Sequence, residues 1–473
     1  MNKGILLHIT SLYEKNHLGS LGKEAYKFID FLATKNFSYW QVLPLAPTTF
    51  GDSPYMSICS FAGNEQLIDL GDLQERGLLS LDELATYSND PHALKDDYLR
   101  LAHSRFLDDS KQYIAFINQN FYWLHDYALF QTLKVKLGYL SLSQFPPEYK
   151  KRQGLFNLEK IHYLEISYWF FVQYIFDLQW KKIRSYANSR NIQIIGDMPI
   201  YVALDSSDVW GNAQNFLVDE EYNPTVVAGV PPDYFSKSGQ KWGNPLYNWN
   251  YLKRNNFSFL QKRINRNLEM VDILRIDHFI GFFRYYAIPQ GLEAIDGIYY
   301  PTPYTDFFKM IDPLIKGEKL IAEDLGLLTK DIDLAIKDLG IPRMKVFEFL
   351  LEDKENLVPF INYPRAVCYT GTHDNDTLVG WLSSKTTKEL EAIKNLVNPQ
   401  LDATNLPGFA LAIIQKIHYL ESYLTIYPIQ DLLLLDSKAR MNIPGTSTNN
   451  WKFQLSVDYQ DQLNVNFQKF FDL

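Results

Sequence analysis

The stretch Ile273-Leu274-Arg275-Ile276-Asp277-His278-Phe279, "ILRIDHF", sets two opposite charges two residues apart inside an otherwise apolar run. An unneeded charge is costly to bury, so the pair demands a reason. In a strand, residues two apart face the same way, and Arg275 and Asp277 would project together from its C-terminal half. An arginine beside an aspartate favours the carboxylate and lowers its pKa. Read alone, the motif is equally a structural ion pair or an ionised carboxylate aimed into a cleft.

Runs of the same kind recur along the chain: "GILLHITS" (4–11), "YWQVLPL" (39–45), "IQIIGDMPI" (192–200), "DILRIDHF" (272–279), "KLIAEDLG" (319–326), "MKVFEFL" (344–350), "AVCYTGTHD" (366–374) and "LTIYPIQDLLLL" (424–435). They are near-continuous in hydrophobicity, as strands covered on both faces are. Amphipathic stretches such as "EAYKFIDFLATKNF" (24–37) and "TKDIDLAIKDLG" (329–340) lie between several of them. This alternation predicts an α/β fold, a (β/α)8 barrel, spanning the 473 residues as one catalytic unit with insertions. Residues 46–191, rich in helical patterns, are read as an insertion after the second strand. The Gly/Pro/Asn-rich segment 201–250 is read as a lid after the third. Both would extend βα loops and roof the C-terminal face, where barrel active sites form. A doubly wound sheet finds no support, for no strand is followed by G-x-G-x-x-G and no phosphate loop is present.

Three other predicted strands also end in acids. Asp197 closes the third, Glu323 and Asp324 the fifth, and His373, Asp374 and Asp376 follow the seventh. Carboxylates delivered to one rim behind apolar residues form a candidate catalytic cluster. Two or three of them without a thiol nucleophile suit glycosidic bond chemistry, which needs a nucleophile, a proton donor and a group that grips the distorting sugar. Glu323, preceded by Ile321 and Ala322 and near a like-charged Asp277, is the proton-donor candidate. A rival reading makes His8, His278, His373, Asp277 and Asp374 a metal site. However, the first strand offers no His-x-His pair and no strand ends in a bridging lysine. His278 and His373 are better read as hydrogen-bond donors to substrate hydroxyls.

Composition narrows the partners. A net charge of −9 with no basic stripe disfavours nucleic acid. The most apolar segment, "YWFFVQYIFDLQW" (168–180), is interrupted by Gln173 and Asp177 and reads as a buried helix, not a membrane span. Two isolated cysteines, Cys59 and Cys368, and an N-terminus without a cleavage pattern lead us to expect a cytoplasmic protein. Aromatic residues make up 15% of the chain, and many sit in loop-like segments such as "KWGNPLYNWN" and "GDSPY", where flat rings can serve as platforms for sugar.

Seven segments carry a resemblance: "GDSPYMSICSFAGN" (51–64), "IGDMPIYVA" (195–203), "GVPPDYFSKSGQKWGNPLYNW" (229–249), "LRIDHFIGF" (274–282), "IAEDLG" (321–326), "YTGTHDNDT" (369–377) and "ARMNIPGT" (439–446). In this order, spanning nearly the whole chain, they resemble the 4-α-glucanotransferases, also called amylomaltases or disproportionating enzymes. The resemblance implies a barrel of the α-amylase superfamily without a C-terminal β domain, and it implies roles. Asp277 matches the nucleophile, Glu323 the general acid/base and Asp374 the transition-state stabiliser. Arg275, His278, His373, Asp197, Tyr55, Trp242, Asp233, Asn244 and Asn375 fall at substrate-binding positions of the matched motifs. It implies α-1,4-glucan donors and acceptors as partners, with no metal and no cofactor. Three positions depart from the family pattern. Tyr13 stands in place of a Ser-Leu-Pro turn, Ile280 where arginine is common, and Asn449 where glycine usually precedes Asn-Trp. The competing readings are a plain α-1,4-glucan hydrolase using the same carboxylates, a metal-dependent barrel hydrolase and a non-catalytic glucan-binding protein.

Overall fold

Among the described residues twelve strands organise the fold: β1 (Lys3–Leu6), β2 (Tyr39–Gln41), β3 (Gln193–Met198), β4 (Val226–Val230), β5 (Gln240–Pro245), β6 (Ile273–Ile276), β7 (Arg284–Pro289), β8 (Ile298–Pro301), β9 (Leu320–Ala322), β10 (Arg343–Val346), β11 (Tyr363–Tyr369) and β12 (Ser422–Pro428). Eight of them close a parallel barrel in the order β1-β12-β11-β10-β9-β6-β3-β2. This is the (β/α)8 barrel expected, with helices between the strands. The structure is a computed structural model and describes residues 2–49, 51–107, 110–232, 238–326, 328–352, 360–446 and 448–470.

Strand parity divides the apolar residues between two cores. Leu6, Ile195, Ile273, Ile321, Met344, Val346, Val367, Tyr369, Leu424 and Ile426 pack together in the lumen. Their neighbours Ile5, Ile194, Leu274, Ile276, Leu320, Ala322, Cys368 and Tyr427 face outward into a separate layer shared with the helices. Period-two alternation therefore assigns Asp197, Arg275, Asp277 and Glu323 to the lumen side, two or four residues beyond Ile195, Ile273 and Ile321.

The strands are shorter than the apolar runs that announce them. "MKVFEFL" ends as a strand at Val346 and turns into a helix, Phe347–Glu352; "LTIYPIQDLLLL" ends at Pro428 and continues as Ile429–Leu432. The residues beyond each strand stay buried beneath the rim, so hydrophobicity continues after the ladder stops.

Between β2 and β3 the chain is mostly helical, and its two longest helices, Lys111–Lys136 and Tyr163–Ser189, pack on each other. The segment 168–180 lies within the second of these, and Gln173 there accepts from Gly63 N and donates to Gly63 O, both at 2.8 Å. Among the described residues no helix is long and apolar enough to cross a membrane. The segment 201–250, read as a loop, contributes β4 and β5 to a four-stranded antiparallel sheet ordered β5-β4-β7-β8. The other half of this sheet comes from the loop after β6. The strands escaped the sequence reading because they are short, interrupted by glycine and proline, and paired across two different βα loops.

Gly63 shows how tightly the helical layer grips the barrel: a Cβ there would meet Phe176 Cδ1 at 2.0 Å. Gly63→Ala should therefore overpack this junction and cost about 1–3 kcal/mol, read as a lowered urea midpoint with an unchanged slope.

Candidate active site

At the C-terminal mouth of the barrel lies a cleft of about 350 Å³ lined by Asp277, Glu323 and Asp374 together with Tyr55, Trp242, Asn244, Arg275, His278 and His373. Arg275 is the hub of its charge. Its Nη1 donates to both oxygens of Asp197 at 2.7 and 2.6 Å, its Nη2 to Asp277 Oδ1 at 3.0 Å, and its Nε to Met344 Sδ at 3.3 Å. Held at all three nitrogens, by Asp197 at Nη1, Asp277 at Nη2 and Met344 at Nε, the guanidinium has its plane fixed. Asp197 does not reach the cleft surface, for its side chain is fully buried beneath Arg275. Tyr55 donates its hydroxyl to Asp197 Oδ2 at 2.7 Å and thereby joins the same network.

Glu323 approaches from the neighbouring strand end. Its Oε2 accepts from His278 N at 2.6 Å and its Oε1 from Leu325 N at 2.9 Å. The first of these bonds ties the Glu323 carboxyl to the amide of the residue that follows Asp277, so the two acids share one backbone junction. His278 adopts φ +48 there, a left-handed turn that ends the strand and leaves its amide free to donate. Burial pushes the Glu323 carboxyl up to about 7, against the pull of Arg275 and the two amides. Burial likewise raises Asp277 well above the usual carboxylate range, opposed by Arg275 and reinforced by Glu323. The expectation that Arg275 would depress Asp277 is thus reversed, because desolvation outweighs a guanidinium already neutralised by Asp197. The two acids raise each other and so titrate as a pair.

The third acid stands on the loop after β11. Asp374 Oδ1 accepts from Asn442 Nδ2 at 2.6 Å, and its carbonyl from Arg440 Nη2 at 2.6 Å. His373, whose ring burial keeps neutral by lowering its pKa, stacks on Tyr55 with centroids 4.8 Å apart and packs against Trp451 at 5.8 Å. Arg440, Asn442 and Trp451 come from a C-terminal segment that folds back over the mouth. The motif "ARMNIPGT" contains Arg440 and Asn442 but not Trp451, and none of the three was expected at the site. Trp242 meets His278 edge-on at 5.0 Å, and Asn244 donates to Val202 O at 2.8 Å.

Two expected site residues, Asp197 and Asn375, do not line this cleft. Asn375 turns inward, and its Nδ2 donates to Glu348 Oε2 at 2.8 Å. Asp233 lies outside the described residues. His8 of the rival metal reading lines a separate, smaller cavity behind His373. Among the described residues no group of three or more His, Cys, Asp or Glu side chains could hold a metal ion.

Comparison with known proteins gives this geometry a family. A model of the 4-alpha-glucanotransferase family matches residues 7–459. The chain belongs to the 4-α-glucanotransferase family. It is 40% identical to a 4-alpha-glucanotransferase of Thermus thermophilus over 472 residues, 96% of this chain and 94% of that one. The enzyme of Clostridium butyricum is 39% identical over 468 residues, 95% of each. The amylomaltase of Streptococcus agalactiae, solved in complex with acarbose, superposes with a TM-score of 0.91 at 32% identity and 99% coverage of both chains. The activity is accordingly that of a 4-α-glucanotransferase.

Within this family pattern, two of the departures acquire a physical reading. Ile280, 4% exposed, gives the cleft an apolar wall where the family often has a guanidinium. Asn449 takes φ +63, a left-handed conformation that asparagine tolerates better than most residues, so the turn presenting Trp451 survives without glycine.

Removing Asp197 would leave Arg275 buried without its main counter-ion. Asp197→Ala should cost roughly 3–5 kcal/mol of stability, measured by equilibrium denaturation. A change confined to substrate affinity would show instead that Asp197 contacts sugar directly.

Proposed function

We propose that this 4-α-glucanotransferase works by double displacement at the anomeric carbon of an α-1,4-glucan, with Asp277 as nucleophile and Glu323 as general acid/base. Asp277 attacks C1 while Glu323 protonates the departing glycosidic oxygen; the C1–O bond breaks and a covalent glycosyl ester forms. Glu323, now ionised, takes the proton from the 4-hydroxyl of an acceptor glucan. That oxygen attacks C1 and frees Asp277, with net retention. Asp374 grips the 2- and 3-hydroxyls, more strongly as the ring flattens. The observation that carries this reading is the meeting of Asp277, Glu323 and Asp374 in one cleft.

A productive complex needs the pair's proton on Glu323 and the negative charge on Asp277. The Arg275 Nη2 contact to Asp277 at 3.0 Å favours that distribution, and so does the greater exposure of the Asp277 side chain, 29%. Transfer must also outrun attack by water. Trp242, on the β4–β5 hairpin beside the cleft, is our candidate for the surface that stacks the acceptor sugar and limits water. A plain hydrolase would use the same acids, so only the products separate the two readings. We assign the enzyme to the cytoplasm, where its two buried free thiols, Cys59 and Cys368, stay reduced.

Incubation with maltotriose should yield glucose together with maltotetraose and longer chains, resolved by chromatography; glucose and maltose alone would mean hydrolysis. Asp277→Asn should fold and still bind oligosaccharide but lose turnover on the order of 10⁴-fold. Glu323→Gln should lose transfer from maltotriose yet still accept an activated maltosyl fluoride, whose leaving group needs no proton. Because Glu323 must enter the first step protonated and its carboxyl is raised to about 7, kcat/KM should fall as pH rises through that value. A flat profile from pH 6 to 9 would assign the proton to another group.

A further inference from the structure

The loop that carries His373 and Asp374 is held from behind by two buried acids that do not line the cleft. β11 lies between β10 and β12 in the barrel, and each neighbour supplies one of them. Glu348, 2% exposed in the helix that follows β10, accepts from Asn375 Nδ2 at 2.8 Å. Asn375 Oδ1 in turn accepts from Thr372 N at 2.9 Å and Thr372 Oγ1 at 2.8 Å, which closes the turn on which Asp374 sits. On the other side Asp431, 1% exposed just past β12, accepts from Thr370 Oγ1 at 2.5 Å and from Leu378 N at 2.7 Å.

We propose that Glu348 is a positioning residue for glucan transfer, acting through Asn375 and Thr372 to hold the turn that aims the Asp374 carboxylate at the sugar, while Asp431 clamps both ends of the same loop. The inference rests on the role proposed for Asp374. It gives Asn375 a function its inward orientation would otherwise deny it. The fit is tight: a Cβ on Gly371 would lie 3.0 Å from Glu348 Oε1 and 3.1 Å from Asn375 Cβ, so any side chain there would press on the strut. Burial, with Asp431 and Asp376 nearby and Lys385 opposing them, raises Glu348 well above the usual range. A neutral acid can accept from the Asn375 amide through its carbonyl oxygen without adding a second negative charge behind Asp374. Glutamine offers the same carbonyl in the same shape.

The test compares Glu348→Gln, Glu348→Ala, Asn375→Ala and Asp374→Asn in the full chain, with kcat and KM for maltotriose and thermal unfolding of each. Glu348→Gln should stay near the parent. Glu348→Ala and Asn375→Ala should lower kcat on the order of 10²-fold with KM little changed, as a displaced transition-state contact would. A folded Glu348→Ala with parental kcat overturns the proposal, as does a Glu348→Gln no better than Glu348→Ala. Should Glu348→Ala fail to fold, Asn375→Ala decides alone, and its parental kcat would overturn the strut. Loss of kcat in Asp374→Asn with none in the other variants removes only the positioning role. Parental kcat in Asp374→Asn overturns the role of Asp374 and the strut together.

Discussion

A guanidinium buried in the lumen sets the charge of everything around it. Arg275 is 3% exposed, and its desolvation is tolerable only because Asp197 takes two of its hydrogen bonds, Asp277 a third and Met344 a weak fourth. Such a buried pair is a poor source of net stability, since burying both charges offsets most of their attraction. Its value here is geometric. These hydrogen bonds together fix the guanidinium plane, and that plane determines where Asp277 can stand. Tyr55, through Asp197, carries the same constraint to the ring it shares with His373.

The constraint also bears on the charge of the two cleft acids. With Arg275 largely neutralised from below, Asp277 and Glu323 face each other with less positive charge than the sequence suggests. Desolvation then raises both. The displacement proposed for this site needs one of the two protonated and the other ionised.

The barrel was legible because its strands are covered on both faces, and eight β-rich apolar runs mark them even though each overshoots the true strand end. Arg275, Asp277 and Glu323 were legible because parity fixes direction once a strand is placed. Contacts between segments distant in sequence were not. The β5-β4-β7-β8 sheet joins strands from two loops, and no local pattern announces their pairing. Asn442 and Trp451 reach the cleft from the C-terminal segment, and Arg440 holds the Asp374 carbonyl from behind. The motif that contains Arg440 and Asn442 is visible, but not which strand end it meets. Asn375 shows the opposite failure: its motif marks the site, but whether an amide beside Asp374 faces the sugar or the barrel depends on Glu348, 27 residues earlier.

Glu348 illustrates why the back of such a site escapes a reading made strand by strand. It lies in a run taken as continuous strand, "MKVFEFL", where alternation from Met344 and Val346 would aim position 348 into the lumen. The chain in fact turns helical at Phe347, and that turn carries Glu348 under the neighbouring loop instead of into the barrel. The same physics that places Asp277 and Glu323 in the mouth, a short strand ending in an acid, places Glu348 and Asp431 one layer below it. For these four acids the layer follows whether the chain passes into a loop at the rim or winds into a helix first. Asp277 and Glu323 follow the former course and face the cleft. Glu348 and Asp431 follow the latter and brace the loop that carries Asp374.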